Sequence, residues 1–150
     1  MVADNQEWLE YRIEPVADNS VQVNIRWEKV SVPFSVEVKD VNTLTLEKAR
    51  ASLAAAKPDD WQIRAQAASF ALQNKLATEE AMQWLDQSIK IKETFGNVGL
   101  KARTLAEQGK TAEAIAAGEK AIQLGKAASN TNAVALADME KQVAEWKTKK

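Results

Sequence analysis

The sequence has no cysteine and no histidine. Without cysteine there is no disulfide, thiol nucleophile, iron–sulfur cluster or thiolate zinc site. Without histidine the commonest general base and the commonest transition-metal ligand are both missing. A chain without cysteine is at home in an oxidising or a reducing compartment, so composition leaves localisation open. Glycine occurs only five times, and no Gly-x-x-x-x-Gly-Lys-Ser/Thr run follows a strand pattern, so no phosphate-binding loop is expected. No apolar run reaches the roughly 18 residues that a membrane-spanning helix needs. The segment Met1–Trp8 has neither a basic region nor an apolar core of the kind that marks a signal peptide.

Charge of one sign is also lacking. The formal net charge is -1, too small for a field that would steer the chain to nucleic acid. The charge is uneven all the same. Residues 1–40 carry eight acids and four bases (-4), and residues 41–150 carry thirteen and sixteen (+3). With 45% hydrophobic and 27% charged residues, 150 residues suffice for an apolar core without staples.

What is present divides at about residue 40. Before it, apolar and polar residues alternate with period two. Leu9, Tyr11 and Ile13 oppose Glu10, Arg12 and Glu14; Val21, Val23, Ile25 and Trp27 oppose Gln22, Asn24, Arg26 and Glu28. A third run sets Val32, Phe34, Val36 and Val38 against Ser31, Pro33, Ser35 and Glu37. The turn-like Ala17–Ser20 separates the first two runs. Three amphipathic strands in an antiparallel meander are predicted, with Pro33 on an edge or at a bulge because it lacks an N–H. Their shared apolar face must be covered. Helices from the second half, preceding strands or a second subunit in a homodimer would serve.

After residue 40 alanine becomes abundant and period 3.6 takes over, which predicts six helices: about 44–57, 58–74, 78–94, 98–108, 111–125 and 133–147. Pro58 suits the first turn of the second helix, with Asp59 and Asp60 complementing its dipole. Thr78 and Thr111 are the expected N-caps of the third and fifth helices, Gly96-Asn97 the expected break, and Gly109 the C′ residue of the fourth. The fold class is thus α+β: residues 1–40 form a small sheet, the remnant of a β-sandwich, and residues 41–150 an all-helical domain.

Within the helical part, residues 78–91 and 111–124 match at a constant offset of 33, through Thr78/Thr111, Glu80/Glu113, Ala81/Ala114 and Ile89/Ile122. The offset is close to the period, about 34, of a helix–turn–helix repeat. Gly109-Lys110-Thr111-Ala112-Glu113-Ala114 followed by Glu119-Lys120-Ala121-Ile122 resembles the turn and second helix of a tetratricopeptide repeat. Gly118 stands where that repeat usually has a large aromatic, Lys126 where it has proline, and Leu76 where it has the turn glycine. Small residues seven apart, Ala81/Ser88 and Ala114/Ala121, let a neighbouring helix approach. The last helix has Leu136, Met139, Val143 and Trp146 on one face and charges on the other, as a terminal cap of a helical stack should.

Beyond the repeat, Trp27-Glu28-Lys29-Val30-Ser31-Val32-Pro33-Phe34, Asp60-Trp61 with Ala65, Ala68 and Leu72, and Trp84 with Ser88-Ile89 resemble a bacterial family catalogued as domain of unknown function twenty-nine-eleven. The resemblance covers about residues 6–150, the family's C-terminal half. It implies an exported, periplasmic protein whose N-terminal signal and additional strands, completing a β-sandwich, are missing from this chain. It implies an architecture and no reaction.

Catalytic residues, metal ligands and cofactors are not expected. Asp59-Asp60 and Glu79-Glu80 sit at helix starts, where acids stabilise the dipole by about 0.3–1 kcal/mol. Lys147, Lys149 and Lys150 read as a solvated tail. Tryptophans 8, 27, 61, 84 and 146 each fall in an apolar pattern and read as core. The tetratricopeptide alignment places Gln66 with Phe70 and Asn74, and Arg103 with Glu107, on a concave face. That groove suits the backbone or carboxylate of an extended protein or peptide partner. The expected role is a non-enzymatic protein-interaction or scaffold module. The alternative is a carbohydrate- or small-ligand-binding module of an exported protein that uses a tryptophan-lined surface.

Overall fold

A computed structural model describes residues 2–17 and 19–148. Asp18 of the expected turn and Lys149 and Lys150 of the expected tail lie outside the described residues. The order is β1 (Val2–Ala17), β2 (Ser20–Glu37), then α1 (Val41–Ala55), α2 (Trp61–Gln73), α3 (Thr78–Ile91), α4 (Phe95–Glu107), α5 (Thr111–Ala127) and α6 (Ala133–Thr148). The α+β class follows directly. The chain divides into two units, Met1–Thr45 and Leu46–Lys150.

In the first unit, β1 and β2 pair antiparallel in regular register from Glu10↔Arg26 to Pro15↔Val21. Tyr11 lies opposite Ile25 and Ile13 opposite Val23, while Arg12 opposes Asn24 and Glu14 opposes Gln22. Since side chains alternate across a strand, this register gives one apolar and one polar face. On the polar face Glu10 accepts from Arg12 Nε at 3.1 Å and lies 3.5 Å from Arg26 Nη1.

Three strands were expected and two are assigned, but β2 is not straight. Eighteen extended residues would hold its ends about 60 Å apart. Yet Val38 N donates to Asn19 O at 2.9 Å, and Asn19 Nδ2 donates to Glu37 Oε1 at 3.3 Å. β2 therefore doubles back on itself. Glu28, midway, has φ +50°, the left-handed conformation of a reversal. The same point is where the apolar alternation changes from odd to even numbers. Continuing the Asn19–Val38 pairing as a regular ladder sets Val36 opposite Val21, Phe34 opposite Val23 and Val32 opposite Ile25. The chain thus runs in three antiparallel passes, with the Ser20–Trp27 pass in the middle and Pro15 and Pro33 on the outer two.

In the second unit the core runs through α2 to α6. Ala68, Ala71, Ala81, Leu85, Ser88, Ala102, Ala114, Ala121 and Met139 have no exposed surface. Leu46 of α1 joins the cluster of Ala67, Leu72 and Trp84. Ala81 and Ala114, and Ser88 and Ala121, sit 33 residues apart and are equally buried, and Thr78 and Thr111 both open their helices. Two side chains from α6 occupy the room left by Gly118. A Cβ there would collide with Val143 Cγ2 and come within 3.2 Å of Trp146 Cζ3. α6 itself buries Met139 and Val143 and exposes Asp138, Glu140, Lys141 and Glu145.

Several local expectations change. α2 starts at Trp61 rather than Pro58, and Asp60 is its N-cap, accepting from Ile63 N at 3.1 Å. Thr78 and Thr111 are first helical residues and not caps. The cap positions are Ala77 (φ +41°) and Lys110, and neither makes a side-chain cap bond. Gly109 does take the expected left-handed turn, with φ +76°. Of the five tryptophans only Trp84 is buried. Trp61 and Trp146 are half-buried, and Trp8 and Trp27 are 80% and 58% exposed.

The largest change concerns Asn97. It does not break a helix; it lies in the first turn of α4 and is buried. Thr94 Oγ1 accepts from Asn97 N at 3.2 Å, and Asn97 Oδ1 accepts from Thr94 N at 2.8 Å, a reciprocal capping box. Asn97 Nδ2 donates to Lys92 O at 2.8 Å and to Ser88 Oγ at 3.1 Å, and Ser88 Oγ–H donates to Trp61 O at 2.8 Å. One buried side chain thereby links the starts of α2 and α4 and the end of α3. Asn97→Ala leaves the Lys92 carbonyl, the Thr94 amide and Ser88 short of partners, and a loss of about 2–4 kcal/mol of unfolding free energy is expected in urea titration. A loss under about 0.5 kcal/mol would show that the network carries no weight.

Candidate functional site

Of the five residues expected in a groove, the structure brings two together. Arg103 and Glu107 lie one turn apart on α4 and line an open cleft of about 390 Å³ with Ala106, Thr111, Gln142 and Trp146. Gln66, Phe70 and Asn74 are on α2 and are not among its lining residues. Gln66 is exposed and Phe70 half-buried. Asn74 turns back on its own helix, its Nδ2 donating to Phe70 O at 2.8 Å. Glu107 also borders a neighbouring depression with Leu72, Lys75, Thr78, Thr104 and Gln108.

The cleft's other half comes from α6 and was not foreseen. Arg103 Nε donates to Gln142 Oε1 at 3.1 Å, and Gln142 Nε2 donates to Asp138 Oδ2 at 2.7 Å. Asp138 Oδ2 stands 3.8 Å from Arg103 Nη2, a charge contact beyond hydrogen-bond range. The guanidinium is thus oriented by α6 while part of its donor edge stays open. With Glu107 and Asp138 both near it, the cleft has no excess of positive charge. An arginine with donors to spare and a glutamate that accepts match the C=O and N–H groups of a peptide backbone. A bare carboxylate fits less well. The ring of Trp146 supplies an apolar wall.

A second, larger depression, about 700 Å³, lies at one end of the helical unit. Trp61 and Phe95 form part of its wall, and Gln62, Asn130, Thr131 and Asn132 part of its polar rim. Lys92 Nζ sits 5.4 Å from the Trp61 ring centroid, a cation–π contact. Thr94, in the same wall, is committed to the Asn97 capping box.

Other charged side chains form ion pairs between neighbouring elements: Asp86–Lys101 at 2.6 Å, Glu140–Lys126 at 2.7 Å, Glu119–Lys147 at 2.6 Å, and Glu93–Lys120. Among the described residues no three acidic side chains come together as metal ligands do. Arg50 and Glu80 make the best-formed pair, with Nη2 2.6 Å and Nε 3.1 Å from Oε2. Hydrogen bonding from Arg50 holds the Glu80 carboxyl below its usual range, against partial desolvation. The same bond raises Arg50 further above neutrality.

Because the folded carboxyl of Glu80 is depressed, its contribution to stability is present above the unfolded value near pH 4.3 and is lost as pH falls through the folded value. Glu80→Gln should therefore be less stable than the wild type at pH 7, with the gap closing below about pH 4. Thermal melts between pH 7 and pH 3 measure this, and a gap that widens in acid would contradict the assignment.

Compared with protein-family models, with curated proteins and with solved structures, the chain finds no match in any of the three. Among the described residues no helix is long and apolar enough to cross a membrane.

Proposed function

We propose that this protein is a non-enzymatic interaction module that holds an extended peptide segment of a partner in the cleft between α4 and α6. The observation that carries this reading is the oriented Arg103, with Gln142, Glu107 and Trp146, in one open cleft. Those groups offer donors, an acceptor and an apolar wall at fixed positions, which is what recognition of a peptide backbone and one apolar side chain needs. Two features support a tetratricopeptide-like stack: the 33-residue offset between equally buried positions, and the one-sided α6.

The test is an array of end-capped hexapeptides probed with the purified chain. Peptides carrying one aliphatic or aromatic residue should be retained, and Arg103→Glu should weaken their binding at least tenfold while leaving the circular dichroism unchanged. Retention that Arg103→Glu and Trp146→Ala both leave intact would overturn the assignment, as would no retention at all.

A second reading, a binder of carbohydrate or another small uncharged ligand, has the Trp61 depression in its favour. An aromatic wall with amides and hydroxyls around it suits a sugar ring. Neutral oligosaccharides titrated against tryptophan fluorescence should then quench the wild type and not Trp61→Leu. Absence of quenching at millimolar sugar removes this reading.

A further inference from the structure

We infer that the apolar face of the sheet is a self-association surface, and that two copies of this chain pair through it face to face. The face is defined by the register. Tyr11 and Ile13 flank Val23 and Ile25 of the middle pass, and the folded-back half of β2 brings Val32, Phe34 and Val36 to their other side. A hollow lined by Val21, Val36 and Val38 marks the same juxtaposition. None of these side chains is charged, yet Tyr11 and Ile13 are 62% and 66% exposed, Val32 52%, and Phe34 and Val36 45% each. Exposed contiguous apolar surface of this extent marks a contact surface.

Three features select a second copy as the occupant. The first is the mode of contact. The two outer passes carry Pro15 and Pro33, which lack the N–H a further strand would need, so lateral addition is blocked and the face is what remains. The second is area. Leu9, Trp27 and Val38, 56%, 58% and 51% exposed, bring the half-exposed side chains of this face to eight, and at about 150 Å² or more for each aromatic and somewhat less for each aliphatic one they offer roughly 600–700 Å² per copy. Two faces in contact then remove about 1,200–1,400 Å², within the range of stable interfaces. The third is self-complementarity. A two-fold pairing puts each uncharged face against another and leaves no charge buried alone. The two twisted sheets would stack about 10 Å apart, with side chains interleaved. The polar face, with Glu10, Arg12 and Arg26 in ion pairs, takes no part in this contact.

Light scattering after size exclusion tests this on the whole chain. At tens of micromolar the wild type should have twice its chain mass of 16.5 kDa. The double variant Ile13→Lys/Phe34→Lys should be monomeric, its dissociation constant raised at least about 100-fold by unpaired charge at the contact. A second measurement guards against variants that merely disturb the sheet. The chain has no cysteine, so a single introduced thiol reports on copy-to-copy contact alone. A short bis-maleimide should link Val23→Cys into dimers and leave Asn24→Cys, on the opposite face, unlinked. A monomeric wild type overturns the inference, as does a dimer that survives the double variant, or equal linking of the two thiols.

Discussion

The helical unit depends on one buried amide. Asn97 satisfies the first turn of α4, accepts the amide of its own cap, and donates both to the carbonyl of Lys92 and to the hydroxyl of Ser88. Ser88 in turn reaches the Trp61 carbonyl at the start of α2. In water each of these groups would find a partner for nothing; inside a packed stack each must find one in the protein. Because they find the same one, the end of α3 and the starts of α2 and α4 are fixed together. Both depressions lie on helices that this network sets. Trp61, Lys92 and Thr94 line the larger one directly, and Arg103 follows Asn97 on α4 by fewer than two turns.

Around this polar link the packing is done by small side chains. Alanine, serine and glycine at the contacts let helices approach until backbone and methyl groups touch, which is why Gly118 has no room for a side chain once Val143 and Trp146 are in place. The ion pairs that cross between helices lie at the surface, and exposed pairs contribute at most about 1 kcal/mol each. They bias which neighbours meet more than they hold them.

Much of this was legible in the residues. The period-two runs gave the passes of the sheet, and even the change of phase after Trp27 was visible, although it marks a reversal within β2 and not a gap between strands. The six helices followed from alanine content and periodicity. Thr78 and Thr111 were misplaced by one position, since threonine serves equally as cap or first residue and only backbone dihedrals decide. Asn97 was misread because glycine followed by asparagine is the usual sign of a helix end. The contrary sign was also present, Thr94 three residues ahead, which is the spacing of a reciprocal cap. At the cleft, Arg103 and Glu107 could be paired because they are four apart on one helix. Gln142 and Trp146 are also four apart, but that they face Arg103 depends on which helix stacks against α4, and no local pattern records it. Trp8 and Trp27 were read as core because an apolar alternation says that a face is to be covered without saying by what.

The abundance of alanine at the helix contacts also bears on how the unit responds to temperature. The heat-capacity change on unfolding scales with the apolar surface newly hydrated, about 12–15 cal/mol/K per residue in ordinary domains. Methyl-lined contacts such as Ala68, Ala81, Ala114 and Ala121 hide less of that surface than leucine or phenylalanine at the same positions. The stability of the helical unit should therefore curve gently with temperature, giving a broad, low dome whose strength changes little between cold and warm surroundings.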